Sequence, residues 1–292
     1  MLLAAAERYL GNIMTENADA LAKAPDSVLS LVADATGQPA IQWGDAKLAL
    51  LVRGRDLLNP ELKFEPAVKD MTADNAQKVE DRVKAWIVAM KVKHLEGLIQ
   101  IGQLANNAAT PSSVRALFTQ IVEAGGIITR RSVNDAVRVL DNDMRAVARK
   151  AGLVFGALDI FHHALMKPGA VIWRTGLFAA LNEKPMAPLP PDNTVHLKDW
   201  KFESAEQASQ FGFRKAGQEY VRVDMAERLI KQAHEARAAG PVFTVDRALA
   251  TSLGLSAETH AALLEMAGFA KTEETPSAPA EAKQTEENRT VT

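Results

Sequence analysis

The sequence contains no cysteine and few aromatic residues. Phe, Trp and Tyr make up 5% of its 292 residues, whereas hydrophobic residues as a whole make up 47%. The absence of cysteine excludes disulfides, thiolate zinc sites and cysteine nucleophiles. A core must therefore be built mainly from Leu, Val, Ile and Ala, and a chain rich in Ala and Leu favours helices. The composition predicts a mainly α-helical protein with one large domain or two modest ones.

Long apolar runs are also absent. No stretch approaches the roughly 20 apolar residues that a membrane-spanning helix needs, so we expect no membrane partner. The missing cysteine fits a reducing compartment, and we expect a cytoplasmic protein. The opening segment MLLAAAERYLGNIM repeats its apolar residues at helical spacing. This predicts an amphipathic helix rather than a targeting signal.

The sequence lacks the motifs that would indicate a known chemistry. It has no G-x-x-x-x-G-K-[ST] loop, no G-x-S-x-G turn and no H-E-x-x-H helix. Its only adjacent histidines are His162 and His163. On a helix these would point about 100° apart, so they could not easily share one metal ion. We therefore predict no catalytic residue and no metal site, while the question of enzymatic activity stays open.

Proline, glycine and apolar periodicity divide the chain into five parts. The segment AIQWGDAKLALLV, from Ala40 to Val52, alternates around Gly44 and Asp45, which predicts a β-hairpin. The predicted fold is a helical bundle with this small hairpin and a small C-terminal helix-turn-helix-like domain. The parts are a helix with the β-hairpin (1–66), a helical accessory domain (67–184), a proline-rich linker (185–194), the small helix-turn-helix-like domain (195–270) and a disordered acidic tail (271–292).

Within the helical domain, an apolar stripe from Val79 to Ile101 predicts one long helix. A second stripe predicts a helix from Val133 to about Lys150. The following apolar segment predicts a helix that breaks at Lys167–Pro168. Capping-box patterns predict three helix starts, the first of which is the start of the Val133 helix. These patterns are at Ser132 with Asp135, Ser204 with Gln207, and Asp224 with Glu227.

Basic residues are concentrated along the helix predicted to end at Lys150 and just after it. Such clusters can line a channel that contacts phosphates. The alternative is a solvated helix surface, with Arg149 and Lys150 compensating the negative end of the helix dipole. The net charge of −2 gives no further support for nucleic acid, because dedicated binders are usually basic. The helix beginning at Ser256 carries no Arg or Lys near its start, so we expect a packing role for it.

Four segments appear in the order and approximate spacing of a known family. They are KAGLVFG (Lys150 to Gly156), ALMKP (Ala164 to Pro168), FGFRKAGQEYVRVDMAERL (Phe211 to Leu229) and the closing unit from Leu253 to Phe269. Together they resemble the region that follows the motor in Suv-type DExH-box RNA helicases, the mitochondrial-degradosome type and its alphaproteobacterial relatives. The resemblance extends from about Asp45 to Ala270.

The sequence also departs from this family. Relatives carry two RecA-like motor domains before this region, and this sequence has neither a phosphate-binding loop nor a DExH box. It has His162 and His163 where relatives usually have Leu-Pro. The resemblance therefore implies a truncated or split helicase, or a separate accessory region. It implies no cofactor for this chain, because ATP and Mg²⁺ would belong to the missing motor.

In the family, this region helps to enclose the exiting strand against the motor. The resemblance then implies single-stranded RNA or DNA as a partner, and a separately encoded helicase motor as another. The implied strand contacts are Arg145, Arg149, Lys150, Lys167 and Arg174. The alternative function is a helical scaffold that docks a motor or another protein.

Overall fold

The computed structural model describes residues 18–238 and 240–272. It is 52% helical and, within the described residues, contains ten strands in three small antiparallel sheets. The prediction of a mainly α-helical bundle is therefore wrong, and the protein has a mixed α/β fold. The predicted N-terminal amphipathic helix, MLLAAAERYLGNIM, lies outside the described residues, the first of which, 18–23, are helical. The predicted tail lies outside them beyond residue 272.

The first sheet is a four-stranded meander in the order β1-β2-β3-β4. Its strands are β1 (Leu29–Ala33), β2 (Pro39–Trp43), β3 (Ala46–Asp56) and β4 (Asn59–Phe64). The predicted hairpin is confirmed, since β2 pairs with β3 and Gly44 turns between them with a φ of 56°. A positive φ is readily available to glycine, which explains why the turn occurs at this residue.

The described residues contain six helices between residues 66 and 182. They are α1 (Pro66–Lys69), α2 (Ala73–Asn106), α3 (Ser112–Glu123), α4 (Asn134–Arg138), α5 (Asn142–Lys150) and α6 (Pro168–Asn182). The apolar stripe predicted for α2 is confirmed, because Val79, Trp86 and Ile101 are all buried. The helix is kinked at Leu95, whose φ of −121° is not helical.

The second sheet occupies a place where the sequence predicts helix. Its strands β5 (Ile127–Thr129), β6 (Leu153–Phe155) and β7 (Asp159–His162) are arranged with β7 in the centre. The helix predicted from residue 157 is therefore wrong up to the 3₁₀ turn His163–Met166, and only α6 is helical as expected. A short apolar run does not distinguish helix from buried strand by periodicity. Here the amide of Gly156 donates to the carbonyl of Asp159 at 2.8 Å, which closes the turn that pairs β6 with β7.

The single helix predicted from residue 133 to 150 is also wrong. The structure has two short helices, α4 and α5, with a break between them where Asp141 caps α5 by accepting the amide of Met144 at 2.8 Å. Ser132 does not cap a helix, and its hydroxyl donates to the carbonyl of Thr129 instead. A side-chain acceptor at Asp141 competes with continuing the helix, which explains the break.

The third sheet and the last four helices form the C-terminal part. Its strands are β8 (His196–Leu197), β9 (Phe213–Ala216) and β10 (Glu219–Arg222), and its helices are α7 (Ala205–Gln210), α8 (Val223–Arg237), α9 (Ala248–Ser252) and α10 (Ala257–Met266). The cap at Ser204 is confirmed, because its hydroxyl accepts the amide of Gln207. His260 on α10 is 3% exposed, so this helix is packed into the domain.

The hydrophobic core is continuous across residue 66, where the sequence suggests a boundary. The meander packs against α2 and α6 in one cluster, within which Trp86 and Trp173 have ring centroids 5.5 Å apart. The proline-rich linker returns to this unit, because the amide of Met186 donates to the carbonyl of Gly37 at 2.7 Å. The N-terminal meander and the later helices therefore share one core.

Glu227 on α8 fixes the turn between β6 and β7. Its carboxylate accepts the backbone amides of Ala157, Leu158 and Asp159 at 2.6, 2.7 and 2.8 Å. Burial raises the pKa of Glu227, and the three amides oppose that effect. The capping box predicted for Asp224 and Glu227 is wrong, because the carboxylate of Glu227 holds a turn 68 to 70 residues away.

A second contact supports the same turn. Arg214 on β9 donates two hydrogen bonds to the carboxylate of Asp159, one from Nε to Oδ2 at 2.6 Å and one from Nη2 to Oδ1 at 2.5 Å. Arg130 donates from its guanidinium to the carbonyl of Gly156 at 2.7 Å. The β6–β7 turn is therefore held from both the C-terminal part and β5.

We expect Glu227→Gln to lower the free energy of unfolding by about 1–3 kcal/mol, the cost of leaving a buried donor without its acceptor. The new amide nitrogen would oppose a backbone N–H of the turn. Urea unfolding followed by circular dichroism measures the change. The matched control is Glu235→Gln on the same helix. Glu235 is exposed, and its Oε1 forms a loose ion pair with Nζ of Lys231 at 3.7 Å. Equal losses in the two variants would contradict this role for Glu227.

Candidate nucleic-acid interface

Arg174 does not lie on a surface. It is 0% exposed on α6, and its guanidinium donates to the carbonyls of Leu165 and Ser209 at 3.2 and 3.3 Å. Burial lowers the pKa of Arg174 to about 9, so the group remains charged at neutral pH. Its implied role as a strand contact is therefore corrected: the side chain ties α6 to the end of α7 and is inaccessible to a strand.

Arg145 is only partly available. Its guanidinium donates to the carbonyls of Leu140 and Val137, each at 3.0 Å. These carbonyls lie at and just after the end of α4, where helix carbonyls lack partners within the helix. Arg145 therefore stabilises the break between α4 and α5, and this use of its donors leaves less of it for a phosphate.

The other three implied contacts are exposed. Arg149 and Lys150 occupy the end of α5, and Lys167 is the residue immediately before α6. Among the residues that the structure describes, none of these three side chains forms a hydrogen bond or an ion pair. Exposed cations without acidic partners retain their full charge for an external anion.

His162 connects the elements that carry these cations. Its ring lies between Gly97 of α2 and Gly152, which follows α5, so closely that a Cβ at either glycine would come within 3.0 Å of ring atoms. Its Nδ1 accepts the amide of Ala164 at 3.2 Å. Gly152 has a φ of 83°, a second reason for glycine there. The end of α5 is thereby held against α2.

A similar contact joins α2 to the start of α6. The ring of His94 lies against Gly169, where a Cβ would again come within 3.0 Å of it. His94 and Gly97 flank the kink at Leu95. The kink thus coincides with two points where histidine rings from α2 and β7 meet glycine backbone.

These contacts bring together the chain segments that carry several of the basic residues. We call these residues the cationic face, defined as the basic side chains within four positions of a glycine that meets the ring of His94 or His162. Its members are Lys93, His94, Arg149, Lys150 and Lys167. The carboxylate of Glu96 acts on His162 in the opposite direction, because its negative charge raises the pKa of that histidine. Glu96 also accepts a hydrogen bond from the side chain of Gln100 at 3.1 Å.

A cluster of polar groups around Glu219 looks at first like a catalytic triad. Its Oε2 contacts Nε2 of His196 at 2.9 Å and the hydroxyls of Ser256 and Thr259. The serine donates to the acid rather than to the histidine, so the histidine cannot act as the base for the serine. Ser256 also caps α10 by accepting the amide of Thr259. The cluster therefore joins α10 to β8 and β10.

Within residues 18–238 and 240–272, no group of three or more His, Cys, Asp or Glu side chains could hold a metal ion. None of the helices described is both long and apolar enough to cross a bilayer.

Comparison with known proteins gives no match: no family model, no curated protein and no solved structure is similar to this chain.

Sequence reasoning missed Lys93 and His94 as members of the cationic face. Both lie on α2, almost 50 residues before the start of α5 in the chain. The feature that could have indicated them is the pairing of histidines with glycines, because only glycine lets a ring approach a backbone so closely. That pairing involves residues distant in sequence, so no local pattern could have indicated it.

We expect Arg174→Lys to lower the melting temperature, whereas Arg149→Lys leaves it unchanged. A lysine retains the positive charge but cannot span the two carbonyls, and one unmade buried hydrogen bond costs about 1–3 kcal/mol. Arg149 has no bond to lose. Differential scanning calorimetry of the two variants measures the difference. Equal melting temperatures would show that the buried guanidinium does not tie α6 to α7.

We expect the free energy of unfolding to fall as the pH drops below 6.5. Burial lowers the pKa of His162 from 6.5, with His163 adding to the effect, and burial also lowers the pKa of His94 and His260. The folded state therefore prefers the neutral rings, so their contribution is complete above pH 6.5 and is lost toward the lower folded pKa.

Melting temperatures between pH 7.5 and 5.5 test this expectation. His162→Leu removes one of the groups and should flatten the curve, whereas His234→Leu, on the exposed side of α8, should not. A wild-type curve that is flat over this range would contradict the stated directions.

Proposed function

We propose that this chain is an accessory region of a Suv-like ATP-dependent helicase that contacts single-stranded RNA or DNA through phosphates and has no ATPase activity of its own. The observation that carries the proposal is the cationic face, where Arg149, Lys150 and Lys167 are exposed and have no acidic partner among the described residues. The family resemblance of the sequence supplies the kind of partner. The ATP-hydrolysing motor would be a separate polypeptide or domain, and the complex would act in the cytoplasm.

Electrostatics make this arrangement suitable for a phosphate chain. The net charge is −2, so attraction cannot come from the protein as a whole. Salt screens exposed charges over about 10 Å at 0.1 M, and a cluster of cations within that range acts together on a strand. Such binding is insensitive to base sequence and weakens steeply with salt, because displaced counterions drive it.

A scaffold that docks another protein is the second candidate. An open groove of about 630 Å³ lies between the β3–β4 turn and α2. Its wall includes Val88 and Val92, which are 60% and 54% exposed. Exposed apolar side chains at a groove with a polar rim occur at protein-protein contacts, and this surface is separate from the residues of the cationic face.

The test is a fluorescence anisotropy titration of labelled single-stranded oligouridylate at 25 and 250 mM salt. We expect measurable binding at low salt that falls steeply at high salt. The double variant Arg149→Glu with Lys150→Glu should weaken binding at low salt about tenfold or more and reduce the salt dependence, since each lost phosphate contact lowers the slope by about 0.7.

The matched control is Arg228→Glu with Arg237→Glu, which makes the same change of net charge at exposed positions of α8. It should bind nearly as the wild type does. No binding at 25 mM salt, or equal losses in both double variants, would overturn the proposal. Melting temperatures of all variants establish that they are folded.

A further inference from the structure

A small open pocket lies beside Lys167, one of the exposed cations of the cationic face. The residues before and after Lys167 in the chain, Met166 and Pro168, both line this pocket. The rest of its lining comes from α6, the proline-rich linker, the end of α7 and the third sheet. The pocket is therefore next to the position at which the proposed function places a phosphate.

Flat rings make up much of the wall of the pocket. Phe211 and Phe213 are 2% and 5% exposed, so they form its buried floor. Phe202 packs against both of them, with ring centroids 5.4 and 6.1 Å away. Three prolines also line the pocket: Pro168, Pro190 and Pro191. The bases of a single strand stack on aromatic rings whatever their identity, because every base has a π-face.

Polar side chains line the same pocket, and together they offer hydrogen-bond donors and acceptors. Asp192, Asn193 and Thr194 belong to the proline-rich linker. Arg222 of β10 also lines the pocket, and Asp224 accepts from its Nε and Nη2 at 2.7 and 2.9 Å. This ion pair leaves Nη1 of the guanidinium for another acceptor. The edge of a base carries acceptors and N–H donors, so side chains of these types can hydrogen-bond a base that enters edge first.

Backbone hydrogen bonds fix the linker at the pocket. The amide of Thr194 donates to the carbonyl of Pro191 at 3.3 Å, and the amide of Arg222 donates to the carbonyl of Val195 at 2.9 Å. Asn193 has a φ of 59°, a left-handed conformation in which asparagine is found more often than most residues. A site held in this way loses little conformational freedom when a ligand binds.

The volume of the pocket limits what it can take. The volume is about 50 Å³, which is the space of about four water molecules at about 10–15 Å³ each. A whole nucleotide or a dinucleotide cofactor needs a site several times larger. The edge of one planar ring fits this space, with the remainder of the ring in the open mouth.

We propose that this pocket takes the edge of one base of the bound single strand, while Lys167 contacts a phosphate of the same strand. This inference rests on the proposed function and adds a base contact to a surface that otherwise uses phosphates. A base and its phosphate are joined through one sugar, and Lys167 is flanked by two residues of the pocket wall, so one nucleotide can make both contacts. The proline-rich linker is thereby part of the binding surface.

The experiment compares labelled oligouridylate with an abasic strand of the same length, by fluorescence anisotropy at 25 mM salt. The abasic strand keeps the phosphates and lacks the bases. We expect the wild type to bind oligouridylate about fivefold more tightly or better, the effect of one stacked base. Ile172 lines the pocket, and Ile172→Phe fills it. This variant should bind both strands about equally, with wild-type affinity for the abasic strand.

Two further variants control for changes in the fold. Asn193→Gly removes a polar group of the pocket and keeps the left-handed backbone, which glycine adopts freely. It should lose about twofold of the preference for oligouridylate, the effect of one hydrogen bond. Val242→Phe adds the same ring at a position that is 73% exposed and outside the pocket, and it should keep the wild-type preference. Melting temperatures establish which variants are folded, and if Ile172→Phe is not, Asn193→Gly decides.

The outcomes separate this inference from the proposed function. If neither strand binds at 25 mM salt, the phosphate contact fails and the base pocket fails with it. Equal binding of the two strands by the wild type overturns the base pocket and leaves the phosphate contact standing. A preference for oligouridylate that Ile172→Phe and Asn193→Gly both retain in full means that the bases bind elsewhere, which also overturns the pocket.

Discussion

The carboxylate of Glu227 is the contact on which the arrangement of the molecule depends. Three consecutive backbone amides converge on it from the turn between β6 and β7. Gly156 makes this possible, because a Cβ there would collide with the carboxylate. The strand β7 that leaves the turn carries Phe161 and His162. A side chain of the C-terminal part thus fixes the strand that supports the cationic face.

The cationic face is then assembled by close approaches of histidine to glycine. His162 holds the end of α5 to α2, and His94 holds α2 to the start of α6. Each contact needs a ring on one element and a bare backbone on another. Three helices that carry basic residues are brought together in this way, and within the described part of the chain no ion pair joins them. Their cations consequently remain free to act on an external anion.

Part of the fold could be predicted from the sequence, and the limits have a physical cause. The β2–β3 hairpin, the buried stripe of α2 and the cap at Ser204 follow from local spacing, and the structure confirms them. The strand β7 and the role of Glu227 do not, because both depend on residues far away in the chain. In each case the local pattern could be explained as part of a helix, but the residues instead make contacts with a distant part of the chain.

The basic residues show the same limit within the candidate site. Arg174 and Lys167 are seven positions apart in the sequence, and their local sequence gives no reason to treat them differently. The structure buries the first on α6, where two backbone carbonyls accept from it, and leaves the second exposed just before the same helix. Charge alone therefore indicates where cations are concentrated, while the availability of each one depends on whether backbone carbonyls nearby require a donor. Backbone carbonyls take up the donors of Arg145 and Arg174. Among the described residues none takes up the donors of Arg149, Lys150 or Lys167, so these three side chains keep their donors for an external anion.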